Sequence, residues 1–171
     1  MSFPPLDDPR YTKRGALHVP AGDGITKWFA GDVYTFKFTA SQTDGKLGMI
    51  EATVPPGGGP PAHVHNDSEE TFYILSGELE FLEGDRLFIA RPGDAVFCPR
   101  GIRHRFKNTG VHVARMLFWH NPGQFDDIFL EGGQDPVPGH MPAPMPLGDY
   151  ATEQMNELIT RHQAEVLPEL P

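Results

Sequence analysis

His63, His65 and Glu70 lie close together in the stretch GGGPPAHVHNDSEETFYILSG, from Gly57 to Gly77, and His104 lies in a second stretch, GDAVFCPRGIRHRFKN, from Gly93 to Asn108. Alternate side chains of an extended strand share a face, so His63 and His65 can hold one ion between their imidazoles while Val64 points the other way. Glu70 follows a short polar run, Asn66 to Glu69, that reads as a loop leading into the apolar strand Thr71 to Leu75. Three imidazoles and one carboxylate form a borderline-to-hard donor set. Such a set suits one divalent ion of Fe, Mn, Ni, Co or Zn and is poor for Cu(I). Four protein ligands on an octahedral ion leave two positions for water, dioxygen or substrate, and open positions make a metal site catalytic.

Short strands must position these residues. Tyr34, Phe36 and Phe38 alternate with Thr35, Lys37 and Thr39, which predicts a strand with a buried aromatic face. After the turn cluster SQTDG comes a strand from Leu47 to Val54, with Met49, Glu51 and Thr53 on one face and Gly48, Ile50, Ala52 and Val54 on the other. Further strands are expected from Phe72 to Leu82 with a turn at Ser76-Gly77, over Arg86 to Ala90, over Ala95 to Cys98, from His104 toward Asn108, and over Ala114 to His120. Nineteen Gly and eighteen Pro in 171 residues fit short strands with frequent turns, and twelve Phe can fill a barrel. The fold class is all-β, a sandwich or closed barrel.

The two stretches match, at every defined position, the two motifs of the cupin family. Gly57, His63, His65, Glu70 and Gly77 fit G(X)5HXH(X)4E(X)6G, and Gly93, Pro99, Gly101, His104 and Asn108 fit G(X)5PXG(X)2H(X)3N. The chain is identified on these residues as resembling a cupin, which implies a double-stranded β-helix, or jelly-roll barrel, binding metal through His63, His65, Glu70 and His104. Glu69 adjoins Glu70, and the motif spacing selects Glu70. The surrounding HVHNDSEETFYILSGELEFLEGD, PRGIRHRFKN and ARMLFWHNPGQFDDIF are similar to single-domain bacterial cupins related to quercetin 2,3-dioxygenases. That resemblance implies a metal-dependent dioxygenase acting on a phenolic or enolic, flavonol-like molecule, with Glu70 doubling as acid/base. The alternatives are a non-oxidative cyclase, isomerase or lyase of a polyketide-like substrate using the same ion, and a non-catalytic small-molecule-binding cupin.

Candidate pocket residues are those whose faces would line such a barrel: Phe36, Phe38, Met49, Glu51, Phe72, Phe106, Met116, Phe118 and His120. Phe106 lies two residues beyond His104 and should share its inward face. Cys98 reads as a small buried hydrophobe, and His18, His112, His140 and His162 as surface residues. Residues 1–24 read as an extended arm, 25–120 as the barrel, and 121–171 as a loop-rich tail packed on it. A helix is expected over about 152–166, where Met155, Leu158, Ile159 and His162 form a stripe. The expected partners are an aromatic or enolic small molecule, dioxygen and a second copy in a homodimer. A net charge of −9 argues against nucleic acid, no apolar run is long enough to span a bilayer, and the N-terminus has no basic start and apolar core of a signal peptide, so a cytoplasmic location is expected.

Overall fold

The computed structural model describes residues 3–169. In chain order the strands are β1 (Ile25–Phe29), β2 (Asp32–Phe38), β3 (Gly48–Val54), β4 (His63–His65), β5 (Glu69–Ser76), β6 (Leu79–Glu83), β7 (Arg86–Ala90), β8 (Ala95–Cys98), β9 (His104–Lys107), β10 (Ala114–Asn121) and β11 (Ala164–Val166); the helices are α1 (Asp127–Gly132) and α2 (Glu153–Arg161). The strands form two antiparallel sheets, one in the order β1-β2-β3-β10-β5-β8 and the other β11-β4-β9-β6-β7. This is the expected all-β, double-sheet architecture.

Alternation along each strand decides what reaches the interior. In the larger sheet Phe36, Ile50, Phe118 and Phe72 stand in register across four strands, and all are buried. Removing a side chain of this size from water contributes about 1.5–3 kcal/mol. Across β3 it is Gly48, Ile50, Ala52 and Val54 that turn inward. Met49 and Glu51, expected in the pocket, therefore lie on the outer face, where Glu51 meets Arg115 and stands 4.0 Å from Lys37. Phe38 also leaves the inner row: the β2–β3 register shifts between Phe36 and Phe38, and Phe38 ends half-buried beside Met49.

The tail departs furthest from expectation. The segment read as loop holds a 3-10 turn over Gly123–Asp126 running into α1, and a second 3-10 turn over Leu147–Ala151. Phe125, Ile128 and Phe129, at i, i+3 and i+4, are the buried side of the first pair, a helical stripe short enough to be hidden by the surrounding Pro and Gly. The later helix is also shorter than expected. Thr152 caps α2 with its hydroxyl accepting from the Met155 N–H at 3.3 Å, but Gln163 takes a φ of 59°, and Ala164–Val166 turn into β11. β11 pairs with β4, supplying backbone partners to an otherwise open edge, so the barrel does not end at residue 120. Residues 3–24 are exposed or nearly so, with one 3-10 turn at Pro9–Tyr11. Among the described residues no helix is long and apolar enough to cross a membrane.

Candidate metal centre and cavity

The four motif residues converge between the sheets. β4 and β9 pair at His63 and His104, which brings the two histidine segments side by side, and Glu70 projects from β5 in the facing sheet. One ligand atom from each of His63, His65, Glu70 and His104 lies within 4.8 Å of the others, so the four can hold a metal ion. Three of them are buried and His63 is half-buried.

Hydrogen bonding fits the group to a cation. His63 Nδ1 lies 2.9 Å from the Pro61 carbonyl and His104 Nδ1 lies 2.8 Å from the Ile102 carbonyl. A carbonyl only accepts, so both Nδ1 atoms carry the proton, and in a neutral ring Nε2 then presents a lone pair. His104 Nε2 nevertheless sits 2.8 Å from Glu70 Oε2, and His65 Nε2 sits 3.1 Å from the same oxygen. A His104 lone pair facing a carboxylate at that range favours positive charge between them, whereas His65, whose Nδ1 has no hydrogen-bond partner, can donate to Glu70 from Nε2. Burial holds His63 well below the usual imidazole range, helped by the nearby His104 and His65, and it lowers His65 to about 4, so both rings are neutral at pH 7. A divalent ion held by the group would supply such charge.

Glu70 stays ionised in this interior. Burial acts to raise its carboxyl, but the charge of His120 and the close imidazoles of His104 and His65 outweigh that and hold it well below the usual carboxylate range. His120, in register opposite Glu70, is fully buried; its Nε2 stands 3.3 Å from Glu70 Oε1 and its Nδ1 stands 2.7 Å from Asp126 Oδ1. Burial pulls the His120 ring down, and the carboxylates of Glu70 and Asp126 more than reverse this, raising it to about 10. Cys98 is the buried hydrophobe expected: burial, with Glu70 and Glu83 near, pushes its thiol up to about 12.

His63 and Glu70 open onto a cavity of about 630 Å3 free of protein atoms, mouth included. Phe106 and Phe118, expected in the pocket, line it, while Phe36, Phe72 and Met116 lie in the packed core behind. His120 does not line it; its contacts are Glu70 and Asp126, with the Phe125 ring centred 4.5 Å away. The sequence reading missed the rest of the wall. Phe125 and Phe129 come from the turn into α1, Met155 and Ile159 from α2, and Tyr34 and Tyr150 add phenols. Tyr34 donates to Asp32 Oδ2 at 3.2 Å, whereas Tyr150 Oη and Asp32 Oδ1 are buried without a protein partner. Burial raises Asp32 to about 8 and raises both phenols. The helical stripe of Phe125 and Phe129 was a usable signal. Nothing in the AGDVY or GDYA surroundings marks Asp32 or Tyr150.

Residues 50–120 match the Cupin domain family model. The chain is 33% identical to the tetracenomycin polyketide synthase protein TcmJ of Streptomyces glaucescens over 62% of its length and 70% of that protein. It is 38% identical to SchB of Streptomyces halstedii over 49% of the chain, and 26% identical to quercetin 2,3-dioxygenase of Bacillus subtilis over 72% of the chain and 36% of that protein. The chain spans about three fifths of SchB and of the Streptomyces relative CurC, 59% and 60%. An RmlC-like cupin from Shewanella frigidimarina superposes with a TM-score of 0.56 at 16% identity, covering 66% of this chain and 96% of that one, which shows the shared fold. The chain belongs to the cupin family.

Proposed function

We propose that this cupin is a metal-dependent enzyme acting on a phenolic or enolic small molecule of flat, polyketide-like shape. The observation that carries the reading is the junction of two features: the His63, His65, Glu70 and His104 group opens through His63 and Glu70 into a cavity otherwise walled mainly by aromatic and aliphatic side chains. A bound divalent ion would supply Lewis acidity, making a coordinated phenol or enol oxygen more acidic. The chain does the rest. Phe106, Phe118, Phe125 and Phe129 bracket a planar ring and exclude water, and Tyr150 offers an unpartnered hydroxyl to a second oxygen of the substrate.

Dioxygenation, with both oxygen atoms entering the product, is one outcome such a site supports, as the name of the 26% identical Bacillus relative suggests. The second reading, non-oxidative ring closure or isomerisation, is favoured by a different observation. TcmJ and CurC, both described as polyketide synthase proteins, match at the higher identities of 33% and 35%. Metal-loaded protein incubated with flavonols and with aromatic polyketides, in an oxygen electrode and again under argon, separates them. Metal-dependent substrate loss with matching oxygen uptake assigns the dioxygenase, and undiminished turnover under argon assigns the non-oxidative enzyme. Failure of both substrate classes to bind or react sinks the proposal.

A further inference from the structure

The two oxygens of Glu70 face different partners. Oε2 points into the candidate ligand group, 3.1 Å from His65 Nε2 and 2.8 Å from His104 Nε2, while Oε1 faces His120 Nε2 at 3.3 Å. Behind His120, Asp126 Oδ1 lies 2.7 Å from Nδ1, and neither His120 nor Asp126 has measurable exposure. Asp126 arrives from outside the family match, on the turn that follows β10. Its approach depends on glycine at two places: a Cβ on Gly48 would overlap the Asp126 carboxylate, and one on Gly123 would collide with the Leu47–Gly48 backbone. A proton shared between Asp126 Oδ1 and His120 Nδ1 ties that pair together, while His120 Nε2 has no hydrogen-bond partner and faces Glu70 Oε1 as an ion-pair contact; Asp126 Oδ2 is buried without a partner as well.

We propose that Asp126 and His120 are positioning residues that occupy Glu70 Oε1, so that Glu70 offers a metal ion Oε2 alone. The inference rests on the metal-binding reading of the four motif residues. A free carboxylate beside a divalent ion can rotate to bind through both oxygens, which would fill one of the positions a substrate needs. Held from behind by His120, Glu70 is a single-oxygen ligand of fixed direction, and the open positions stay open. Outer partners that orient ligands in this way typically change metal affinity by about 10–100-fold when removed.

Cobalt(II) titration of the full chain, followed by calorimetry and by the visible absorption of the bound ion, tests the pair without recourse to activity. Wild type should take up one Co(II). His120→Leu and the isosteric Asp126→Asn should both bind Co(II) more weakly, by about 10–100-fold for His120→Leu, with a changed visible band reporting altered coordination. His120→Gln, whose amide can still donate to Glu70, should recover part of both. In a Glu70→Gln background His120→Leu should have no further effect, because the pair acts through that carboxylate. Wild-type affinity and spectrum in both His120→Leu and Asp126→Asn overturn the inference, as does full additivity with Glu70→Gln. A wild-type chain that takes up no Co(II) overturns the metal-binding reading itself.

Discussion

Glu70, which lines the cavity, and Asp32, bonded to the cavity-lining Tyr34, are both buried carboxyls, and the protein treats them in opposite ways. Burial alone would raise both. Glu70 has three imidazoles around it and is driven well below the usual range, whereas Asp32 has a single phenol, from Tyr34, and rises to about 8. Dryness is common to the two sites; the neighbours decide the charge. The first is an acid kept charged where a cation can sit, and the second is an acid kept protonated at neutral pH.

Removing the charged member should act on the metal site. Glu70→Ala should cost roughly 100-fold or more in metal affinity while leaving the β-sheet signal in circular dichroism intact; stoichiometric metal in the purified variant would break the contrast. Asp32→Asn should act on stability instead. Because the folded pKa of about 8 lies above the ordinary 3.8, the folded state holds a proton that the unfolded chain releases. The penalty is absent below about pH 4, grows as pH rises, and is complete above about pH 8. At about 1.4 kcal/mol per pKa unit the full effect is several kcal/mol. Thermal melts of Asp32→Asn should therefore match wild type near pH 4 and exceed it at pH 8.5, and a parallel pH profile would count against a protonated Asp32.

Smaller effects sharpen the same comparison. Tyr150→Phe deletes a buried hydroxyl with no protein partner, so it should leave the melting temperature unchanged or raise stability by about 1 kcal/mol. It should also weaken binding of an oxygenated aromatic ligand, measurable by calorimetry. Glu51→Ala, which removes an outward carboxylate facing Arg115, should cost about 1 kcal/mol or less and leave metal uptake untouched. A loss of metal there would restore Glu51 to the site.

The metal-ligand candidates and the fold class were legible in the chain because both are local: His63 and His65 share a strand face by period two, and Gly and Pro mark turns at regular intervals. The inner row on β3 was legible too, since Gly48, Ile50, Ala52 and Val54 are all apolar while Met49 shares its face with Glu51 and Thr53, and the pocket expectation for Met49 and Glu51 went against it. The place of Phe38 was not, because a register shift carries it off the inner row. Asp126, Tyr150 and β11 were hidden for a different reason. Each comes from the tail and gains its role through one contact: Asp126 with His120, six residues back across the turn after β10, Tyr150 with the cavity, and Ala164–Val166 with the distant open edge of β4. Sequence periodicity records which face a residue takes within its own element. Which element covers that face is set by closure of the whole barrel, and at Asp126 by Gly48, which leaves room for its carboxylate, and by Gly123, which lets the turn approach the Leu47–Gly48 backbone.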